Sequence, residues 1–225
     1  MYELIKPGFF GSTVAADVRR VEFDIMNDQY LSTGRRADVL FFGDSITQYW
    51  ELELYFAQDV LKINRGIGGD STTYAARRFD ADVMQLNPRA LVMLLGINDL
   101  ISVAPNLWYK RPGADPEAVI ENIEKNYRSM LEKCTAGERD VYVCSVLPQS
   151  LCPPYDRALF ASLINRTNEI LKALCREYGA TYVDYYSAIA CDDAMPEELS
   201  TDGVHPNGKC YAIMADVLRG AIKIL

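Results

Sequence analysis

The chain holds a single histidine, His205, among its 225 residues. Any acid–base chemistry near neutral pH therefore has one obvious side chain to use. A basic excess is missing too: 23 Lys and Arg stand against 31 Asp and Glu, a net charge of -8. Binding a phosphate backbone needs a positive patch, so nucleic acid is not an expected partner. Long hydrophobic runs are absent. The longest, Ala90 to Ile97, is less than half of a membrane-spanning helix, so no membrane insertion is expected. Met1 to Gly11 mixes Glu3, Lys6 and Pro7 into a short apolar stretch and shows no secretory signal, which points to the cytoplasm. The six cysteines (Cys134, Cys144, Cys152, Cys175, Cys191, Cys210) form no C-x-x-C pair. That spacing argues against a zinc ribbon or redox motif and for reduced thiols, mostly buried.

With 49% apolar and 24% charged residues, the composition is that of a globular protein with a real core. Short Val-, Ile- and Leu-rich segments recur, each followed by a longer stretch of helical periodicity. The strand candidates are Asp38 to Phe42, Asp59 to Asn64, Ala90 to Leu95, Asp140 to Val146 and Ala180 to Asp184. Most are nearly continuous apolar runs, as strands buried on both faces should be, with Lys62 the exception. Helices are expected over Pro116 to Lys133, Leu159 to Tyr178 (stopped by Gly179) and about Asn207 to Leu218. A further helix is expected over Val14 to Leu31, where Val18, Val21, Ile25 and Met26 share one stripe. The sum is one domain over residues 1–225 with a helical N-terminal extension at 14–31. Its fold is α/β, an open, doubly wound sheet of about five parallel strands with helices on both faces.

Such sheets bind ligands at the carboxyl ends of their strands. Here the first strand runs into Gly43-Asp44-Ser45-Ile46-Thr47, the second into Asn64-Arg65-Gly66-Ile67-Gly68-Gly69-Asp70, and the third into Gly96-Ile97-Asn98-Asp99. Asp202-Gly203-Val204-His205-Pro206 precedes the last helix. A serine, a histidine and an aspartate so arranged can form a nucleophile, its base and the group that orients the base. Each has a plainer reading: Ser45 as a helix cap, His205 as a satisfied structural residue, Asp202 as a turn former beside Gly203. The glycine turn fails as a dinucleotide fingerprint, because Ser71 stands where the third glycine belongs, and no Gly-Lys-Ser/Thr follows.

Together, the four blocks resemble those of the SGNH hydrolases, the GDSL-type esterases and lipases. In that superfamily a G-D-S turn, a glycine turn, a G-x-N-D turn and a terminal D-x-x-H occur in this order, and here they span positions 43 to 206. The wording of the first two blocks is closest to the branch that includes platelet-activating-factor acetylhydrolase subunits. The resemblance implies the flavodoxin-like fold of that superfamily and a carboxylic ester hydrolase. It implies Ser45 as nucleophile, Asp202 and His205 as the rest of a triad, and Ser45, Gly69 and Asn98 as the oxyanion hole. No cofactor and no metal are called for, and the implied partner is a small-molecule ester, with oligomeric state left open.

The chemistry is consistent with those residue types. Serine needs a base in hydrogen-bond reach, and the imidazolium that forms needs a carboxylate on its other nitrogen. The oxyanion needs donors already in place, which backbone N–H groups and an asparagine amide provide. Ser45 does not lie in a G-x-S-x-G elbow, since Thr47 replaces the second glycine. Tyr49, Trp50, Trp108 and Tyr109 are candidates for walls beside the serine, suited to a sugar face or an acyl chain, and are equally candidates for packing. Short-acyl esters, acetylated carbohydrates among them, are the expected substrates. Lysophospholipase or thioesterase activity, a non-catalytic ligand-binding protein on the same fold, and a nucleotide-binding α/β protein are the alternatives.

Overall fold

The structure, a computed structural model, describes residues 3, 5–8, 10–11, 15–105, 112–135, 137–151 and 156–223. Five parallel strands form one sheet: β1 Val39–Gly43, β2 Lys62–Gly66, β3 Ala90–Leu94, β4 Asp140–Cys144 and β5 Thr181–Val183. Their order is β2-β1-β3-β4-β5, with Gly43 beside both Gly66 and Leu94. The chain thus steps one way from β1 to β2 and the other way at each later crossover. Right-handed crossovers then put the β1–β2 connection on one face and the later ones on the opposite face. The first connection carries two short helices, α2 Ser45–Gln48 and α3 Leu52–Tyr55. The others carry α4 Thr72–Phe79, extended by a π-helical turn over Asp80–Met84, then α5 Ile97–Ile101 with α6 Pro116–Cys134, and α7 Arg157–Tyr178. α4, α6 and α7 pack side by side.

The last helices, α8 Tyr185–Ile189 and α9 Gly208–Ala221, follow β5. α9 joins the α2–α3 face, where its Tyr211 hydroxyl donates to the Ile46 carbonyl at 2.8 Å. Every residue of β1 and β3 is buried, which is why both read as unbroken apolar runs. β2 is an edge strand, and its Lys62 side chain is satisfied by Glu53 at 3.1 Å and the Ala57 and Val60 carbonyls. β2 also begins later than the sequence suggests and runs on through Arg65 and Gly66, residues that read as turn.

The N-terminal helix α1, Ala15–Thr33, is present, but its orientation corrects the expected stripe. Val21, Ile25 and Met26 are exposed, and Arg20, Phe23 and Asn27 form the buried face; the Val18 side chain lies outside the described residues. The reason is the surface α1 covers. Arg20 pairs with Asp82 and Asp24, while Asn27 donates to the Ala81 carbonyl and accepts from Arg65 at 2.8 Å. A helix that must neutralise buried charges turns its polar side inward.

Cys134, Cys144, Cys175 and Cys210 are buried free thiols, whereas Cys191 is exposed; Cys152 lies outside the described residues. No described helix is long and apolar enough to cross a membrane.

Candidate active site

The turns that follow β1, β2 and β3 meet at one edge of the sheet, and the segment before α9 folds over them. Asp44 caps α2 by accepting from the Ile46 N–H at 2.9 Å, so Ser45 opens the helix as its first residue. An N–H in that position has no intrahelical acceptor and is free to serve another group.

His205 reaches this serine across 160 positions of sequence: Ser45 Oγ lies 2.9 Å from Nε2. On the other side of the ring, Nδ1 is 2.6 Å from Asp202 Oδ2. A carboxylate only accepts, so Nδ1 carries the proton and Nε2 is left to receive one from the serine. Asp202 is held in turn by the His205 and Val204 N–H groups, which both donate to Oδ1, at 2.8 and 3.0 Å. Burial pushes the Asp202 carboxyl up, but these bonds and the one from the imidazole outweigh it and hold the group below the usual carboxylate range.

The loop that carries the pair is fixed from both sides. Gly203 has φ +88°, and a Cβ there would stand 2.7 Å from the Ser150 carbonyl oxygen. The Gly203 carbonyl itself accepts from Ser150 N–H at 2.7 Å, and the Ser200 hydroxyl accepts from Gly203 N–H at 2.8 Å. Pro206 hands the chain to Asn207, whose side chain caps α9 through Lys209 N–H at 3.0 Å.

Gly69 lies at φ +75° in the turn after β2. Asn98 pins that turn by donating to the Asp70 carbonyl at 2.9 Å, and an amide NH₂ keeps a second donor beyond this contact. Below the turns lies a group of buried charges that sequence reasoning passed over. The Arg78 guanidinium, fully buried over the Phe42 ring, donates to Asp70 at 2.7 Å and Asp82 at 2.9 Å. It also donates to the carbonyls of Gly43 and Arg65, each at 3.0 Å, and so ties the ends of β1 and β2 together. Its only sequence signal was a charged residue in the otherwise unremarkable stretch after the glycine turn. Asp99 accepts from the Thr72 N–H at 2.9 Å and hydroxyl at 2.6 Å, which docks the third turn on α4. Burial pushes its carboxyl up to about 6 and that of Asp44 to about 7.

Of the candidate aromatic walls, Tyr49 is exposed and its ring centre lies 5.6 Å from that of His205. Trp50 is core, packed 5.4 Å from both Phe56 and Tyr211. Trp108 and Tyr109 lie outside the described residues, within the undescribed stretch 106–111.

A five-stranded parallel sheet in this order, with a serine, a histidine and an aspartate in continuous contact at its carboxyl edge, has the arrangement that serine hydrolases use. The model of the GDSL-like lipase/acylhydrolase family matches residues 41–213, and the chain belongs to that family. A GDSL esterase/lipase of Arabidopsis thaliana is 25% identical over 210 residues. That match takes in 83% of this chain and 65% of the plant protein, so the chain spans under two thirds of that relative's length. Among solved structures, a protein of Bacteroides fragilis described as an acylhydrolase is 26% identical, with TM-score 0.70 over 88% of this chain and 93% of that one. An acetyl-xylooligosaccharide esterase of Geobacillus shares the fold, with TM-score 0.62, 19% identity, and coverage of 81% of this chain and 92% of the other. Family and neighbours support a serine ester hydrolase.

Proposed function

We propose that the protein hydrolyses short-acyl carboxylic esters through an acyl-enzyme on Ser45. The observation that carries this reading is the unbroken relay, Ser45 Oγ to His205 Nε2 at 2.9 Å and His205 Nδ1 to Asp202 at 2.6 Å. In the first half-reaction Ser45 Oγ attacks the acyl carbon while its proton passes to Nε2. The Asp202 carboxylate stabilises the imidazolium and keeps the ring in its tautomer. Negative charge on the carbonyl oxygen is met by the N–H groups of Ser45 and Gly69 and by the Asn98 amide. The ester C–O bond then breaks, and the alcohol leaves with the proton from Nε2. Water repeats the sequence on the acyl-enzyme, releasing the acid and restoring Ser45.

Acetyl esters of carbohydrates are the substrates this reading favours. Support comes from the charged and amide side chains of Arg19, Glu22, Gln48 and Glu51 in the cavity next to the serine turn, and from the shared fold of the Geobacillus acetyl-xylooligosaccharide esterase. The test is a series of p-nitrophenyl esters of increasing chain length. kcat/KM is expected to be highest for acetate and to fall with length, and Ser45→Ala is expected to abolish turnover. Activity that survives Ser45→Ala, or that rises steadily with chain length, contradicts the reading.

A further inference from the structure

The match to the family model begins at residue 41, so all of α1 stands before it. α1 nevertheless reaches the site. Its Arg19 and Glu22 line a cavity of about 570 Å³ whose other walls are Gln48, Tyr49, Glu51, Ile67 and Gly68. Those walls adjoin the serine. A Cβ placed on Gly68 would lie 3.8 Å from Ser45 Cβ and 3.9 Å from the Tyr49 hydroxyl, and Tyr49 in turn flanks His205.

Arg19 is held in place, with its guanidinium 5.2 Å over the Phe23 ring and donating to the Gly66 carbonyl at 3.2 Å. Glu22 lies 3.9 Å away, too far for a full hydrogen bond, so both charged groups keep capacity for a ligand. Gln48 accepts from Gly68 N–H at 2.6 Å and retains its NH₂ donors. The cavity therefore offers two carboxylates, a guanidinium, an amide and one exposed aromatic face. Carboxylates accept from hydroxyls, the guanidinium and amide donate to them, and a phenol ring covers the C–H face of a sugar. The cavity's apolar surfaces are Ile67 and the Tyr49 ring, set among these polar groups. Its Tyr49 wall has its ring centre 5.6 Å from that of His205, where the departing alcohol must collect its proton.

We propose that α1 builds the subsite for the alcohol half of the ester, with Arg19, Glu22 and Glu51 recognising a polyhydroxylated alcohol such as a glycoside. The proposal rests on the esterase reading and adds α1 to it as the specificity element.

The test compares p-nitrophenyl acetate with a monoacetylated methyl xyloside on the full chain, as wild type, Glu22→Gln and Arg19→Gln, with thermal melting to confirm folding. Each variant is expected to lower the ratio of kcat/KM for the xyloside to kcat/KM for p-nitrophenyl acetate by about tenfold, the weight of one hydrogen bond to a charged group. The loss should appear in KM, as removal of uniform binding does. Because Arg19 also supports Gly66, Glu22→Gln is the cleaner variant: its carboxylate is largely in solvent. An active wild type whose ratio is unmoved in both folded variants overturns the α1 subsite and leaves the esterase reading standing. An active wild type without turnover of the xyloside also overturns it. A wild type inert toward p-nitrophenyl acetate fails earlier, at the esterase reading, and the subsite falls with it.

Discussion

At the residue scale, the site depends on side chains that never touch substrate. Arg78 is the clearest case: one buried guanidinium holds Asp70, Asp82 and the carbonyls that end β1 and β2. Arg78→Met would strip Asp70 of its buried cation and is expected to cost about 3–5 kcal/mol, read from urea unfolding. Gly203 acts on the other half of the relay. With φ at +88° and the Ser150 carbonyl in the way of a Cβ, Gly203→Ala is expected to displace Asp202 and His205 and lower kcat far more than it lowers the melting temperature. Asn98→Ala removes a donor from the proposed oxyanion hole, and a fall of roughly a hundred- to a thousandfold in kcat is expected in a folded protein. Full activity in that variant would remove Asn98 from the mechanism.

At the scale of elements, Asn207 closes the loop that carries His205 and opens α9, accepting from the Lys209 and Cys210 N–H groups. Asn207→Ala is expected to cost about 1 kcal/mol in thermal or chemical unfolding, the usual weight of a lost N-cap. The long helices were legible from their periodicity. Asp115 and Asp156 cap α6 and α7 ahead of strongly periodic runs, and both helices were readable to within about one turn. The buried β1 and β3 were readable because unbroken apolar runs have little else to become in an alternating α/β chain. α1 shows the limit. Its apolar stripe at Val21, Ile25 and Met26 suggested a core-facing side, yet the partners of the helix are Asp82 and Arg65, so Arg20 and Asn27 turn inward. Hydrophobic periodicity assumes an apolar neighbour and gives the wrong face when the neighbour is charged. The four chemical blocks were legible as motifs because each keeps its residues close in sequence. Arg78 and the α1 cavity were not, because their meaning comes from contacts across the fold.

At the scale of the whole molecule, the buried carboxyls behind the turns link stability to pH. Asp44 is pushed up to about 7 by burial, with Asp70 and Asp99 adding repulsion against the attraction of Arg78. In the unfolded chain the same carboxyl ionises near 3.8. Between those values the folded state holds a proton that the unfolded state has lost. Stability from this group is therefore greatest below about pH 4, falls as pH rises toward 7, and is level above that. Asp99, raised to about 6, acts in the same direction over a narrower range. Asp44→Asn keeps an acceptor for the Ile46 N–H and removes the titration. Melting curves across pH 4 to 8 are expected to show a shallower decline for that variant, and an unchanged slope would mean that Asp44 is ionised throughout.

The chain's single histidine sits between a serine and a carboxylate, the arrangement proposed to make Ser45 acylable. The most direct measurement is mass spectrometry of the protein quenched during turnover of p-nitrophenyl acetate. One acetyl group is expected, on the peptide containing Ser45, absent in Ser45→Ala and no longer formed at a comparable rate in His205→Ala. Sustained turnover in Ser45→Ala, or an acetyl group carried on another residue during wild-type turnover, would contradict the acyl-enzyme on Ser45.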